Sequence, residues 1–272
     1  MTVNEQTSNG LYFRHWQADQ TKAVVMLIHG LGEHCQRYEH LASHFNAEGI
    51  TLSAIDLPHH GKSSGERGHI NSFDDFEAAA LALYDKTKAN HPNAPIFVLG
   101  HSMGGLITTR LLLSHQDKFK GALLSGAAIK SPQEPPTWQV AIIKGIAKFF
   151  PKAKMLALDA STVSRDPKVV ENYMADPLVS KEKLSAQFLV SMTNAMEQCQ
   201  KQANTIELPL KIMHGSADVM TAPEGSEMLY HSVSSTDKEI TLYDGLFHEI
   251  FNEPENKEIF TEMVSWINKR LS

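Results

Sequence analysis

Short apolar runs alternate with longer amphipathic segments along most of this chain. Buried strands are predicted at 23–28, 51–55, 96–99, 122–125, 210–214 and 240–243. Helices are predicted at 37–48, 73–90, 105–114 and 256–271. Strands separated by helices of this length are typical of a mostly parallel sheet that is covered by helices on its faces. The predicted fold class is therefore α/β.

The alternation of strands and helices stops between residues 128 and 203. This segment carries prolines and helical patterns but no clear strand. A helical insertion after a strand predicts a cap over the carboxyl ends of the sheet, where open α/β sheets bind ligands. We therefore expect two units, a core formed by residues 1–127 and 204–272 and a helical cap formed by residues 128–203.

Composition narrows the classes of function. The 272 residues include 25 lysines and arginines against 31 aspartates and glutamates, and this acidic balance disfavours nucleic acid as a partner. The two cysteines, Cys35 and Cys199, lack a C-x-x-C spacing, so two free thiols are favoured over a disulfide. Residues 1–10 lack the apolar core of a signal peptide. No apolar run reaches the ~20 residues that span a bilayer. A cytoplasmic location is expected.

The segment Gly100-His101-Ser102-Met103-Gly104-Gly105 joins a predicted strand to a predicted helix. It matches the G-x-S-x-G pattern, in which a serine occupies a sharp turn with its hydroxyl exposed above the sheet. Such a turn requires small residues on both sides, and glycine also adopts positive φ without cost. We therefore predict that Ser102 is a nucleophile.

A serine hydroxyl needs a general base, and that base needs a carboxylate to set its tautomer. In sheets with such a turn, the acid follows the serine in the chain and the histidine comes last. His248 lies in a loop after the last predicted strand, and Asp218 follows the preceding strand. Asp244, at the end of the last strand, is the competing acid. The remaining histidines after the serine lie in helical segments or precede any acid: His115, His214 and His231.

Backbone N–H groups are predicted to form an oxyanion hole. One belongs to Met103, directly after the serine, and the other to Leu31 in the glycine-rich loop after the first predicted strand. This loop does not match G-x-G-x-x-G, so a dinucleotide site is unsupported. Four further histidines lack the H-x-x-x-H spacing of a metal site and are assigned structural or supporting roles: His29, His34, His59 and His60.

One segment of the predicted cap, 138–150, is apolar along much of its length and is accompanied by Lys144 and Lys148. An amphipathic helix with lysines can lie on a membrane surface. It can equally pack over the core and line an apolar pocket. The pocket is the favoured interpretation, and peripheral membrane contact through the cap stays open.

These pieces resemble the monoacylglycerol lipase group of the α/β-hydrolase superfamily. The matching segments cover nearly the whole chain: His29-Gly-Leu-Gly-Glu-His34 with Arg37-Tyr38, Asp56 with His60-Gly-Lys-Ser63, Gly65-Glu-Arg-Gly-His69, the serine motif at 100–105, Asp176-Pro-Leu-Val179, His214-Gly-Ser-Ala-Asp218 and His248. The resemblance implies an α/β-hydrolase fold, a cap, a triad of Ser102, Asp218 and His248, and no cofactor. One departure is His59, which stands where the group commonly has glycine.

The resemblance also implies the reaction. We expect a serine carboxylic-ester hydrolase that cleaves monoacylglycerols, with a small lipid ester as its partner and an acyl-enzyme as its intermediate. A lysophospholipase or a broader carboxylesterase is the alternative among enzymes. A ligand receptor that keeps the same scaffold without turnover is the alternative from another class.

Overall fold

A computed structural model describes residues 2–133, 136–157 and 159–271. The strands are, in chain order, β1 (Thr2–Ser8), β2 (Leu11–Gln17), β3 (Ala23–Ile28), β4 (Ile50–Asp56), β5 (Ile96–His101), β6 (Gly121–Ser125), β7 (Lys154–Leu156), β8 (Leu184–Ser185), β9 (Leu210–Gly215) and β10 (Lys238–Tyr243). Eight of them form one sheet in the order β1-β2-β4-β3-β5-β6-β9-β10. β1 and β2 run antiparallel to their neighbours, and the other six strands are mutually parallel.

The helices cover both faces of this sheet. They are α1 (Glu39–Ala47), α2 (Asp74–Asn90), α3 (Met103–His115), α4 (Thr137–Phe149), α5 (Pro167–Ala175), α6 (Ala186–Gln202), α7 (Pro223–Ser232) and α8 (Asn256–Asn268). Residues of α2, α3, α6 and α7 share one apolar cluster, and residues of α1 and α8 share the other. All six residues of β3 are buried because alternate side chains enter the two clusters. The predicted α/β class and the mostly parallel sheet are confirmed.

The structure corrects the predicted elements in two places. It adds β1 and β2 at the start of the chain, which the apolar pattern did not indicate. The apolar pattern did not predict β2 because Arg14 and His15 are polar but buried in its interior. It did not predict β1 because this edge strand is polar and largely exposed. It also adds β7 and β8, a short antiparallel pair inside the segment where no strand was expected. These two are too short, and β7 too exposed, to leave an apolar signature.

Residues 128–203, called the insertion from here on, follow β6 and end shortly before β9. Backbone hydrogen bonds join it to loops at the carboxyl edge of the sheet. Ser180 N–H donates to the Gly32 carbonyl at 2.7 Å, and Ser185 N–H donates to the Gly68 carbonyl at 2.7 Å. The N–H of Glu249 donates to the Val163 carbonyl at 2.8 Å. The insertion therefore lies against the loops that follow β3, β4 and β10.

Two further features concern the cysteines and the hydropathy of the helices. Cys35 and Cys199 are both buried and free, as predicted. Within the described ranges, no helix has both the length and the hydropathy that crossing a bilayer requires.

Candidate active site

Ser102 lies in the sharp turn between β5 and α3. Its backbone has φ 55° and ψ −120°, a left-handed conformation that L residues rarely adopt. A Cβ at Gly104 would come within 2.0 Å of the Ile28 carbonyl oxygen, and one at Gly100 within 2.4 Å of the Gly104 carbonyl oxygen. The flanking glycines are thus required by close backbone approach. The turn places the serine in the wall of a cavity at the carboxyl edge of the sheet.

Asp218 and His248 meet across the loops that follow β9 and β10. His248 Nδ1 lies 2.6 Å from Asp218 Oδ2, and both side chains are buried. His248 lines the same cavity as Ser102. Asp244, the competing acid, is exposed and receives a hydrogen bond from Ser216 at 3.5 Å. The geometry therefore pairs the histidine with Asp218 and leaves Asp244 on the surface.

The charges at this pair are set by burial and by hydrogen bonds. Burial raises the pKa of Asp218, but hydrogen bonds from His214 and His248 outweigh it and bring that pKa well below its ordinary value. Burial lowers the pKa of His248, whereas the Asp218 carboxylate raises it, and the net pKa is above the ordinary 6.5. Both directions favour an ionised aspartate that holds an imidazole of raised basicity.

The two predicted oxyanion donors belong to the loop after β3 and to the residue that follows Ser102. Leu31 lines the cavity, and Met103 is the first residue of α3, with a buried side chain. The first N–H groups of a helix have no partner within the helix and carry the positive end of its dipole. The loop around Leu31 is held by Glu33, whose Oε1 accepts from Gly30 N–H at 2.7 Å.

A buried ion network, which the sequence analysis missed, supports both loops. Arg37 donates to Glu33 at 2.8 Å and to both oxygens of Glu249 at 2.6 and 2.7 Å. Glu33 belongs to the loop of Leu31, and Glu249 follows His248 directly. The ring of Tyr173, from the insertion, covers the guanidinium at 4.5 Å. Glu33 and Arg37 at i, i+4 were a usable signal, but nothing local pointed to Glu249.

The network also sets the ionisation of Glu33. Burial raises the pKa of this carboxyl, but the Arg37 guanidinium, followed by two histidines and the Tyr38 hydroxyl, lowers it to about 2.

His101 lies next to His248, with ring centroids 4.9 Å apart. Burial and then the neighbouring His248 lower the pKa of His101 to about 4, so this ring is neutral at pH 7. The only basic imidazole beside Ser102 among the described residues is thus His248.

Replacing Arg37 with methionine is expected to lower the free energy of unfolding by about 3–5 kcal/mol. The carboxylates of Glu33 and Glu249, 3% and 6% exposed, would be left buried without their cation. Urea unfolding followed by circular dichroism measures this. The control is Lys201→Met, which removes an exposed ion pair with Glu197 and is expected to change stability by less than about 1 kcal/mol. Equal losses in both variants would contradict the network's role.

The cavity above Ser102 has a volume of about 80 Å³. Its wall contains the apolar side chains Leu31, Ala128, Val163, Met192 and Met220. No lysine or arginine of the described chain lines it, whereas Glu33 and Glu249 do. No described residue of α4 lines it either, so the expectation that the segment 138–150 forms a pocket wall is not met. The insertion contributes instead through Val163, Tyr173 and Met192.

The other singled-out histidines hold loops. His29 Nε2 accepts from Leu57 N–H at 2.9 Å, and His34 Nε2 lies 2.8 Å from Asp176 of the insertion. His59 adopts φ 68°, so its loop keeps the left-handed turn that glycine would make without strain. Among the described residues, no group of three or more histidine, cysteine, aspartate or glutamate side chains is arranged to hold a metal.

Comparisons with known proteins identify relatives over most of this chain. A family model described as "Serine aminopeptidase, S33" matches residues 19–255. The chain is 36% identical over 257 residues to a monoacylglycerol lipase of Mycolicibacterium smegmatis, covering 94% of this chain and 92% of the relative. It is 32% identical over 266 residues to a monoglyceride lipase of Mus musculus, covering 96% and 88%.

A solved structure matches over the same length. The crystal structure of Paleococcus ferrophilus monoacylglycerol lipase superposes with a TM-score of 0.86 at 31% identity, covering 99% of this chain and 100% of that one. The family model therefore spans the insertion and the strands β3 to β10. The chain belongs to the family described as serine aminopeptidase S33 and, within the α/β-hydrolases, to the monoacylglycerol lipase group.

Proposed function

We propose that this chain, a serine ester hydrolase, cleaves monoacylglycerols to a fatty acid and glycerol, with Ser102, Asp218 and His248 as its catalytic triad. The observation that carries the proposal is the Ser102 turn in one cavity with His248, whose Nδ1 lies 2.6 Å from Asp218. The relatives named above supply the substrate class, because they are monoacylglycerol and monoglyceride lipases.

The reaction proceeds in two halves. Ser102 Oγ attacks the ester carbonyl carbon while His248 Nε2 takes the hydroxyl proton, and Asp218 keeps Nδ1 protonated. The tetrahedral oxyanion accepts hydrogen bonds from Leu31 and Met103 N–H, each of which contributes ~2.7–4 kcal/mol in the transition state. The glycerol oxygen then leaves with the proton from His248. Water, deprotonated by the same imidazole, then attacks the acyl carbon. The bond to Ser102 Oγ breaks, the serine oxygen takes the proton from His248, and the fatty acid is released.

The lining of the cavity supports a neutral head group. Glu33 and Glu249 place carboxylates in the wall, and the one cation that pairs with both, Arg37, is already engaged. Lys152, in the turn after α4, is exposed and pairs with Glu66 at 2.6 Å. A phosphate in the cavity would face like charges, and no described lining residue is a lysine or arginine that could compensate them, which costs several kcal/mol.

Turnover of esters that share one acyl chain tests the substrate class. We expect kcat/KM for monoolein to exceed that for oleoyl lysophosphatidylcholine and oleoyl lysophosphatidic acid by about 10-fold or more. Initial rates of oleate release in the same detergent micelles measure this. Equal or faster release from the lysophospholipids would make the protein a lysophospholipase. Turnover confined to short p-nitrophenyl esters would make it a broader carboxylesterase.

We propose that the insertion is a cap that meets lipid through α4 and the residue after it. Trp138, Ile142, Phe149 and Phe150 are 61%, 52%, 72% and 69% exposed, and Lys148 lies beside them. An amphipathic helix with exposed aromatic residues and lysines suits a membrane interface. The cavity of about 80 Å³ is smaller than the roughly 300–1,000 Å³ of drug-sized sites, so the cap has to shift to admit a long acyl chain.

The double variant Phe149→Ala/Phe150→Ala tests this contact. Because burying one phenylalanine contributes about 1.5–3 kcal/mol, partitioning onto phosphatidylcholine vesicles is expected to fall by at least about 10-fold. Vesicle sedimentation measures the partitioning. Hydrolysis of a water-soluble p-nitrophenyl ester is expected to stay unchanged. Leu242→Ala, which removes an exposed apolar side chain on β10, is the matched control. Equal partitioning of all three proteins would overturn the membrane contact.

A further inference from the structure

A buried histidine outside the triad contacts its acid. His214, in β9, has no exposed surface, and its Nε2 lies 3.0 Å from Asp218 Oδ2. Its Nδ1 lies 2.7 Å from the hydroxyl of Ser226 in α7, and Ser226 is also fully buried. A continuous hydrogen-bonded row thus runs from Ser226 through His214 and Asp218 to His248.

The neighbours of His214 assign its proton. Nε2 is nearest to Asp218 Oδ2, and the carbonyl oxygen and the hydroxyl of Thr221 follow, each at 3.3 Å. An ionised carboxylate and a carbonyl can only accept, so Nε2 carries a hydrogen and donates it to Asp218. The Ser226 hydroxyl holds the opposite nitrogen of the ring. The imidazole is therefore fixed at both ends and presents one N–H to the acid.

Two imidazoles consequently donate to a single carboxylate oxygen. Asp218 Oδ2 receives His248 Nδ1–H at 2.6 Å and His214 Nε2–H at 3.0 Å. The Thr221 hydroxyl, 2.9 Å from the same oxygen, is shared with the Gly126 carbonyl at 3.0 Å. The second imidazole donor stabilises the ionised carboxylate and restricts its rotation. It also spreads the negative charge that His248 experiences. His214 itself does not line the cavity, so we expect it to act on the reaction through its contact with Asp218.

We propose that His214 is a positioning residue, whose Nε2–H holds the Asp218 carboxylate in the orientation and charge state in which it orients His248. The proposal rests on the proposed triad of Ser102, Asp218 and His248. It adds to Ser102 a buried row of four hydrogen-bonded side chains, of which the last two belong to the triad: Ser226, His214, Asp218 and His248.

Two substitutions at this position separate the hydrogen bond from the ring. His214→Leu removes the donor, whereas His214→Gln places an amide N–H near the position of Nε2. We expect His214→Leu to lower kcat by about 10- to 100-fold, the range for a hydrogen bond to a charged group. KM is expected to stay near the wild-type value because the substrate does not touch this residue. His214→Gln is expected to restore most of kcat.

The pH profile gives a readout that a structural role would not move. The acidic limb of kcat/KM reports the pKa of the general base in the free enzyme. Without the His214 donor, the concentrated charge on Asp218 stabilises protonated His248 more strongly, so the limb moves to higher pH in His214→Leu and returns in His214→Gln. The other ionisable groups that act on His248 are the same in all variants: Glu33, His101 and Glu249.

Controls distinguish the possible failures. His15→Leu removes a buried imidazole from β2, remote from the cavity, and is expected to keep wild-type kcat. If His214→Leu does not fold, Ser226→Ala decides, since it deletes only the hydroxyl that holds Nδ1. Wild-type kcat and pH limb in the folded variant, with Ser102→Ala inactive, would overturn the role of His214 alone. An active Ser102→Ala would overturn the proposed triad instead.

Discussion

Ser102→Ala is expected to lower kcat for monoolein by about 10⁶-fold. The hydroxyl oxygen is the atom that would bond to the acyl carbon, and the alanine side chain offers no substitute. The cavity walls and the oxyanion donors remain, so KM is expected to change little. Glycerol release from monoolein measures kcat. Labelling by a fluorophosphonate probe, which requires the activated hydroxyl, is expected to disappear at the same time.

The control for Ser102→Ala is Ser43→Ala, which removes an exposed hydroxyl from α1 that donates to the Glu39 carbonyl. Both variants are expected to unfold within about 0.5 kcal/mol of the wild type, as surface or isolated polar changes do. Retention of most activity by Ser102→Ala would remove the proposed nucleophile. A wild-type chain that takes the probe but releases no fatty acid from any ester would support the receptor alternative.

Asp218→Asn is expected to lower kcat by about 10⁴-fold. Oδ1 of this residue accepts from the N–H groups of Met220 and Thr221 at 2.7 and 3.1 Å, so the asparagine oxygen is held on that side. The amide nitrogen then replaces Oδ2 and donates toward His248 Nδ1. This forces the hydrogen of the imidazole onto Nε2, the nitrogen that takes the Ser102 hydroxyl proton in the proposed mechanism. Nε2 can then no longer accept that proton.

The matched control is Asp244→Asn, which makes the same chemical change at the acid that the sequence left as a competitor. Asp244 is exposed, so its variant is expected to keep near wild-type kcat. Steady-state kinetics of both variants with one p-nitrophenyl ester measures the difference. A greater loss in Asp244→Asn than in Asp218→Asn would reverse the assignment of the acid.

Local pattern predicted most of the sheet because its central strands are buried on both faces. β3 was predicted with the bounds that the structure has, and β4, β5, β6 and β9 differ by one or two residues. The sequence of such a strand is a continuous apolar run, so the strand can be recognised without knowing which strands lie beside it. β2 failed this test because the partners that make burial of Arg14 possible, Glu5 and Glu39, are distant in the chain.

By itself, the sequence determined the α/β class, the turn at Ser102 and the order of the proposed acid and histidine. These depend on backbone conformation and on periodicity within a few residues. Only the tertiary structure decided which groups support them. Arg37 contacts Glu249 across 212 positions of chain. His214 and His248 both contact Oδ2 of Asp218, and the Thr221 hydroxyl lies 3.3 Å from a nitrogen of each ring. Burial and hydrogen-bond partners are properties of the packed chain, so a local pattern does not contain them.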